Sequence, residues 1–400
     1  MRIQSISGVN YKNSKANSFK AHFTNVDIGA SSINGSLKIC AIDDKSGEII
    51  AKEKLTVFDD NEARSEEKFE QNVAGKVAEF EQKHQPEILS HDEDNEMKMT
   101  ICYPGPCVKT GDSNGFLLSN FYYDNNRQTR FQRPINPDNI DLELKNRGIS
   151  LVQSRHANDM AGAGACLLKK LQTQYPELLA EGEEILYMYP GGGLGSGMII
   201  ADGDNIKVHP SELQHIKKYG TENDSTEMHV GASFLRKNFE KALNLKENEI
   251  GENTKAVDNY DELIATINRP IDKDEFEEAS KQAISQFMDS IAQLIATKVC
   301  ESNLRTVVLT GPIVNSLHSS VNNNPKFETN PDNKEPDKFK AILKDKVQEN
   351  LTDVGKKLLG SPDNLNILFL TTTDNTEGAH LLQNGTSVGN PPRWYNVKNI

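Results

Sequence analysis

Cysteine is scarce in this sequence of 400 residues. The five cysteines, Cys40, Cys102, Cys107, Cys166 and Cys300, are odd in number and irregularly spaced, and no CxxC occurs. That argues against a disulfide framework or a cysteine-built zinc site and fits a reducing compartment. Long apolar runs are also missing, so no membrane span is expected. Basic charge is in deficit: 45 Lys and Arg stand against 58 Asp and Glu, a formal net charge of −13. Such a chain does not attract DNA, RNA or an anionic membrane surface. The opening residues, MRIQSISGVNYKNSKANSFK, lack the apolar centre of a secretory signal and read as a loose tail over residues 1–23. These deficits together predict a cytoplasmic protein without nucleic-acid or membrane partners. They do not exclude ATP, because a local glycine-rich backbone can hold phosphates while the global charge stays negative.

What is present is 36% apolar residues in strand-like and helix-like blocks, enough for an α/β protein of two domains. FTNVDIG, LKICAIDD and EIIAKEKLTVF read as three antiparallel strands with turns at Asn34-Gly35 and Lys45-Ser46-Gly47. Phe69, Val73, Val77 and Phe80 recur at helical spacing within Glu62 to Lys83. Met97 to Tyr103 is a strand, Ile140 to Arg147 a helix, Ile149 to Gln153 a short strand and Met160 to Gln174 a helix rich in small residues. In the second half, Glu184 to Tyr189 is a strand and MIIADGDNIKV a hairpin. Phe276 to Val299 is a long helix, Arg305 to Leu309 a buried strand and Pro336 to Leu359 helical. Leu365 to Thr372 is a strand and Glu377 begins a last helix. The polar stretch Asn315 to Lys338 reads as a surface loop. A glycine-turn β-unit thus opens each half, and strand–helix alternation follows both, which is the pattern of an internal duplication. Two facing halves make a cleft between domains.

Four places can carry chemistry. The turn Asp27-Ile28-Gly29-Ala30-Ser31-Ser32 puts an aspartate and small residues at a strand end, where a metal-bound phosphate can approach; the same residues also suit an ordinary β-turn. Gly191, Gly192, Gly193, Gly195 and Gly197 can cradle phosphates between two strands, although no Gly-Lys-Ser/Thr follows and the segment equally suits a flexible loop. In His156-Ala157-Asn158-Asp159, the Asp159 carboxylate stands where it can take a proton from a hydroxyl nucleophile, and Asn158 or Asp159 can cap the helix. In Ser211-Glu212-Leu213-Gln214-His215, a helix would place Glu212 and His215 on one face, fit for sugar hydroxyls or simply for solvent.

Read in order, these segments resemble the ROK (repressor, ORF, kinase) family of sugar kinases, from about Asn25 to about Leu382. VDIGASS is similar to the family's first phosphate motif, DIGGTK, and YPGPCVKTG to its PGPVD segment. HANDMAGAGA is similar to NDANAAA, GGGLGSGMIIADG to GTGVGAGIVIDG, SELQHI to GELGH and TEMHVGASFL to LEAYASGPAI. VVLTGPIV and DNTEGAHLL are similar to VVIGGGV and DAGLIGAALL. The chain departs from the family at Ser32 (usually lysine), Ala30 and Gly192, at Ala161 and Gln214, and in having no cysteine cluster between His215 and Glu227.

The resemblance implies an actin-like (ribonuclease-H-like) ATPase fold with two α/β domains and a cleft between them. It implies an N-terminal domain over residues 24–155, a larger one over 156–374, and a C-terminal helix and tail over 375–400 returning to the first. It implies an ATP-dependent hexose kinase of carbohydrate metabolism, a glucokinase first of all, with Asp159 as the general base. A kinase for fructose or N-acetylmannosamine and a non-catalytic sugar-sensing protein are the alternatives. By the same resemblance the sugar is bound by Asn158, Asp159, Glu212, His215 and Glu227, with Asn120 a weaker candidate. ATP lies against Asp27, Gly29, Ala30 and Ser31, against Gly191, Gly192, Gly193, Gly195 and Gly197, and against Gly311 and Pro312. Mg²⁺ comes with the ATP phosphates, near Asp27, and no structural zinc is expected. Family members are commonly homodimers. Their repressors carry a DNA-binding domain that this chain's short leading segment does not match.

Overall fold

A computed structural model describes residues 21–30, 32–91, 96–191, 193–202, 205–211, 230–242, 274–302, 304–323, 327–329, 335–370, 375–383, 386–388 and 394–398. The first half forms a five-stranded sheet from β1 (Ala21–Gly29), β2 (Ser36–Asp43), β3 (Ile49–Thr56), β4 (Glu96–Tyr103) and β7 (Leu151–Asn158). Its order is β3-β2-β1-β4-β7; β1, β2 and β3 are antiparallel neighbours, and β1, β4 and β7 run parallel. Alternation along β1 and β2 sends Val26, Ile28, Leu37 and Ile39 to one face, where α1 (Glu66–Lys83) packs. Its Phe69, Val73, Val77 and Phe80 are fully buried there, as their spacing predicted. The Ser65 side chain starts α1 by accepting from the Lys68 N–H at 3.0 Å. Helix α2 (Gln85–His91) follows, and α3 (Pro137–Asn146) lies beside α1. Between them the hairpin β5 (Cys107–Thr110) and β6 (Ser113–Phe116) is an element the sequence reading did not anticipate.

The second half repeats the order. β8 (Glu184–Pro190), β9 (Leu194–Asp202) and β10 (Asn205–Ser211) are antiparallel neighbours, and β11 (Thr306–Leu309) and β12 (Asn366–Phe369) extend the sheet parallel to β8. The run β10-β9-β8-β11-β12 therefore matches β3-β2-β1-β4-β7 strand for strand. Helices α4 (Asp159–Gln174), α5 (Ala232–Ala242), α6 (Asp274–Glu301), α7 (Pro312–Asn323), α8 (Lys338–Asn350), α9 (Asp353–Leu359) and α10 (Asn375–Gln383) complete the described elements. One core lies between the sheet and α5 to α9, with Phe287, Ile291, Val307 and Phe339 fully buried. Another joins α4, α10 and the opposite face of the same sheet.

Several expectations need correction. The tail was drawn to residue 23, but His22 and Phe23 are buried in β1. The short strand at Ile149–Gln153 runs on to Asn158, so the first sheet extends past residue 155. Asn315 to Lys338 is not loop throughout: α7 occupies it to Asn323, because Ile313, Val314, Leu317 and Val321 form one buried stripe. The helix drawn over Pro336–Leu359 breaks at Leu351, whose backbone is extended, and restarts where Thr352 accepts from the Gly355 N–H. Helix α10 packs on β1 and β4, with Thr100 donating to the Gln383 side chain. Beyond α10, however, the chain turns to the second sheet. There β14 (Trp394–Lys398) pairs with β10, and β13 (Thr386–Val388) pairs with β14. No described helix is long and apolar enough to cross a membrane.

Candidate active site

The parallel strands of the first sheet end at Gly29, Tyr103 and Asn158 and those of the second at Pro190, Leu309 and Phe369, and open α/β sheets bind ligands at carboxyl ends of this kind. On β1 the core takes Val26 and Ile28, so Asp27 points the other way, and it is 5% exposed. Its Oδ2 accepts from Lys38 Nζ at 3.1 Å, and its Oδ1 accepts from Asn375 Nδ2 at 3.3 Å. The turn after β1 is packed tightly. A Cβ on Gly29 would stand 2.5 Å from Ser36 Oγ, and one on Gly35, at φ +66°, would stand 2.5 Å from the Phe121 ring.

Asp159 begins α4 directly after β7. Asn158 is the cap: its backbone is extended (φ −71°, ψ 145°) and its Oδ1 accepts from the Met160 N–H at 2.9 Å. Its Nδ2 donates to the Gly105 carbonyl at 2.8 Å, tying the turn between β7 and α4 to the Pro-Gly-Pro turn after β4. Asp159 is half-buried, and its Oδ1 also accepts from the Met160 N–H. One strand back, His156 Nδ1 meets the Tyr103 hydroxyl at 2.9 Å and its Nε2 meets Asp141 at 3.2 Å, which fixes the end of β7. In register, Cys102 on β4 lies between Asp27 on β1 and Ala157 on β7. Burial pushes its thiol well above the ordinary value, and Asp27 and Asp159 both push it further. The two acids therefore flank the end of β4.

The second glycine segment divides in two. Gly191 and Gly193 make the turn between β8 and β9, closed by the Gly191 N–H donating to the Gly193 carbonyl at 2.8 Å. Gly195 and Gly197 were expected in a phosphate cradle, but they are paired inside β9 opposite Tyr189 and Tyr187. A Cβ on Gly195 would collide with Met160, and one on Gly197 with the Tyr187 hydroxyl, which itself donates to the Met160 carbonyl at 2.6 Å. These two glycines make room for the start of α4. Gly311, at φ +103°, brings its turn beside the first: a Cβ there would lie 3.2 Å from the Pro190 carbonyl. Pro312 opens α7.

Structure thus brings together Asp27, Gly29, Ala30, Asn158 and Asp159 at the end of the first sheet, and Gly191, Gly193, Gly311 and Pro312 at the end of the second. Asn120 is exposed in the turn from Leu118 to Phe121, a segment that touches both the Gly35 and the Gly105 turns. Ser31, Gly192, Glu212, His215 and Glu227 lie outside the described residues. Three residues at the site were missed. Lys38 and Asn375 hold Asp27; Lys38 was legible from its place opposite Asp27 in an antiparallel pair, whereas Asn375 comes from the far end of the chain. Tyr395 of β14, 1% exposed, lies near Asn158; burial raises its hydroxyl and Cys107 adds to the rise.

No protein-family model matches the sequence, and no curated protein matches it. Solved structures do match over most of the chain. A ROK family transcriptional regulator, a homolog of the E. coli MLC protein, superposes with a TM-score of 0.58 at 14% identity, covering 92% of this chain and 78% of that one. A ROK family glucokinase from Streptomyces griseus, in complex with glucose and AMPPNP, gives 0.51 at 11% identity, covering 90% and 97%. Hexokinase from Schistosoma mansoni, complexed with glucose, gives 0.53 at 13% identity, covering 91% and 85%. At these identities the likeness establishes the fold, which is the actin-like ATPase fold of ROK family proteins and hexokinases.

Proposed function

We propose that this chain is an ATP-dependent sugar kinase that uses Asp159 as its general base. One observation supports the reading: Asp159 is half-buried at the start of α4, and its neighbour Met160 packs on Gly195 at the start of β9, beside the Gly191–Gly193 turn. Phosphoryl transfer needs a positioned hydroxyl, a group to take its proton and donors for the phosphates, and little covalent chemistry beyond that. Asp159 would accept the sugar hydroxyl proton while the oxygen attacks the terminal phosphorus. The Met160 N–H, already bonded to it at 2.8 Å, would steady the carboxylate. Backbone N–H groups at Gly29 and Ala30, and at Gly191, Gly193 and Gly311, would face the phosphates. Mg²⁺ bound with the nucleotide would neutralise phosphate charge. The buried carboxylate of Asp27 suits an ion held mostly by phosphates and water. The two halves would act as lobes that close over both substrates and keep water out.

Glucose is the first sugar to test, since glucokinase and hexokinase neighbours were solved with it. A sugar-binding protein without turnover is the second reading, supported by Ser32 in place of the family's lysine and by the regulator's TM-score of 0.58. The deciding experiment is ADP release from MgATP by the purified chain with glucose, mannose, fructose, N-acetylglucosamine and N-acetylmannosamine. Sugar-dependent release is expected. A folded protein that binds a sugar and releases no ADP with any of them overturns the kinase reading in favour of the second.

A further inference from the structure

Helix α10 is held differently on its two sides. Against α4 the contact is backbone on backbone, so that a Cβ on Gly378 would run into the Gly162 carbonyl. Its apolar side chains Ala379 and Leu382 sit in the core around α4. Against the first sheet the contacts are mostly polar. Asn375 donates to Asp27 at 3.3 Å, Thr100 donates to Gln383, and the His380 ring meets the Phe23 ring edge-on, with 4.6 Å between centroids. Three side chains along this seam are left unsatisfied. Asn25 on β1 is fully buried opposite Thr100, and neither its amide oxygen nor its amide nitrogen has a hydrogen-bond partner. Gln383 Nε2 and His380 Nδ1 are buried without one as well. Each unpaired buried group subtracts from the hold of α10 on the sheet.

His380 is the half-buried titratable group on the seam. Asp44, in the turn after β2, favours a proton on the ring, and Lys169 of α4 disfavours it. Asp44 is itself paired with Lys98 of β4 at 3.5 Å. Lys98 Nζ also lies 5.0 Å from the centroid of Phe23, so a proton on His380 would join a cation already at that ring. Of the other charged or titratable side chains on the packed elements, Asp27 and Lys38 pair with each other at the Asn375 end of the helix, Tyr395 of β14 is buried, and Glu377 lies one turn before His380 on α10 itself. Burial is the largest influence and holds the ring below the ordinary histidine value, in its neutral form. Lifted off the sheet, the ring regains the ordinary value, so a proton favours the lifted position. The hold is therefore complete above about pH 6.5 and is lost as pH falls from there toward the seated value.

We propose that α10 is an acid-released latch between the two halves: in mild acid His380 takes a proton, the helix lifts from β1 and β4, and Asn375 leaves Asp27 while the crossing with α4 holds. The latch does not depend on the kinase reading. Where that reading holds, acid also unfastens a carboxylate of the proposed phosphate site.

Thiol labelling of the full chain tests the latch without turnover. Cys40 on β2 is fully buried opposite Asn25, and Cys166 is buried on α4 at the Gly378 crossing. The reagent is a dipyridyl disulfide, which reacts in acid, and rates are corrected with an unfolded peptide standard. Cys40 should label about threefold faster or more at about pH 5.5 than at about pH 7.5, reversibly, while Cys166 stays protected. His380→Leu, which takes no proton, should label Cys40 at one slow rate under both conditions. A wild-type Cys40 rate that does not change with pH overturns the latch. A rise of Cys40 and Cys166 together also overturns it, because that is general unfolding, and so does a rise that His380→Leu retains. Should His380→Leu not fold, His380→Gln takes its place under the same outcomes.

Discussion

Asp159 sits at a point where a carboxylate is useful to the fold as well as to chemistry, since acidic groups at a helix start stabilise it. The two uses separate experimentally because Asn158, not Asp159, makes the side-chain cap. Asp159→Asn should therefore leave the melting temperature nearly unchanged while kcat falls about 100- to 10,000-fold; a variant that keeps wild-type turnover would remove Asp159 from the mechanism. At the start of α1, Glu66 is 4% exposed and accepts from the Tyr123 hydroxyl at 2.6 Å and the Arg133 N–H at 3.0 Å. Burial alone would raise its pKa, but these hydrogen bonds outweigh burial and hold it below the ordinary carboxylate value. A depressed carboxyl pKa stabilises the fold above the unfolded value, and that contribution fades as pH falls through the folded one. Glu66→Gln should thus melt lower than wild type at pH 7, and the gap should shrink below about pH 4; a gap that is constant with pH would contradict the assignment. Of the proposed site residues, Asp27, Asn158 and Asp159 were legible because each lies at or beside a strand end in a recognisable pattern. Asn375 and Tyr395 were not, since their meeting with Asp27 and Asn158 depends on contacts across most of the chain.

Among the elements, strands and helices with strong periodicity were legible, and short or interrupted ones were not. The pattern of α1 names its own buried face, whereas α7 was obscured by the Asn and Ser residues on its solvent side, although Ile313, Leu317 and Val321 keep helical spacing. The β5–β6 hairpin is only four residues a strand, too short for alternation to stand out. The crossing of α4 and α10 rests on small residues. A Cβ on Gly378 would drive into the Gly162 carbonyl, which is backbone and cannot step aside, whereas a Cβ on Gly195 would meet the flexible end of Met160. Gly378→Ala should cost on the order of 2–3 kcal/mol and lower the melting temperature by about 5–10 °C. Gly195→Ala should cost clearly less. Thermal denaturation of the pair checks this, and equal losses would contradict the picture of a rigid helix crossing beside a yielding side chain.

Across the whole molecule, the repeated strand order explains why the fold could be read from so divergent a sequence. Each half needs only a glycine-turned antiparallel unit followed by two parallel strands, and many sequences satisfy that. The proposed site could be read less fully, because its residues come from strand ends and a helix far apart in the chain. If the halves close as lobes, glucose with MgAMPPNP should reduce the radius of gyration in small-angle scattering; an unchanged radius in a protein shown to bind both would count against closure.

The position of α10 has one more consequence, in the order of synthesis. Asp27, Cys102 and the face of the first sheet that bears them are complete as soon as β7 has been made, yet the helix that packs on them starts only at Asn375. Through translation of the entire second half, Phe23 lacks its His380 partner and Thr100 lacks Gln383. A nascent first sheet leaving the ribosome is therefore an open apolar surface that needs either a chaperone or quick completion. For the same reason, residues 21–158 expressed alone should aggregate, and the same segment supplied with a peptide spanning 375–383 should be rescued in part.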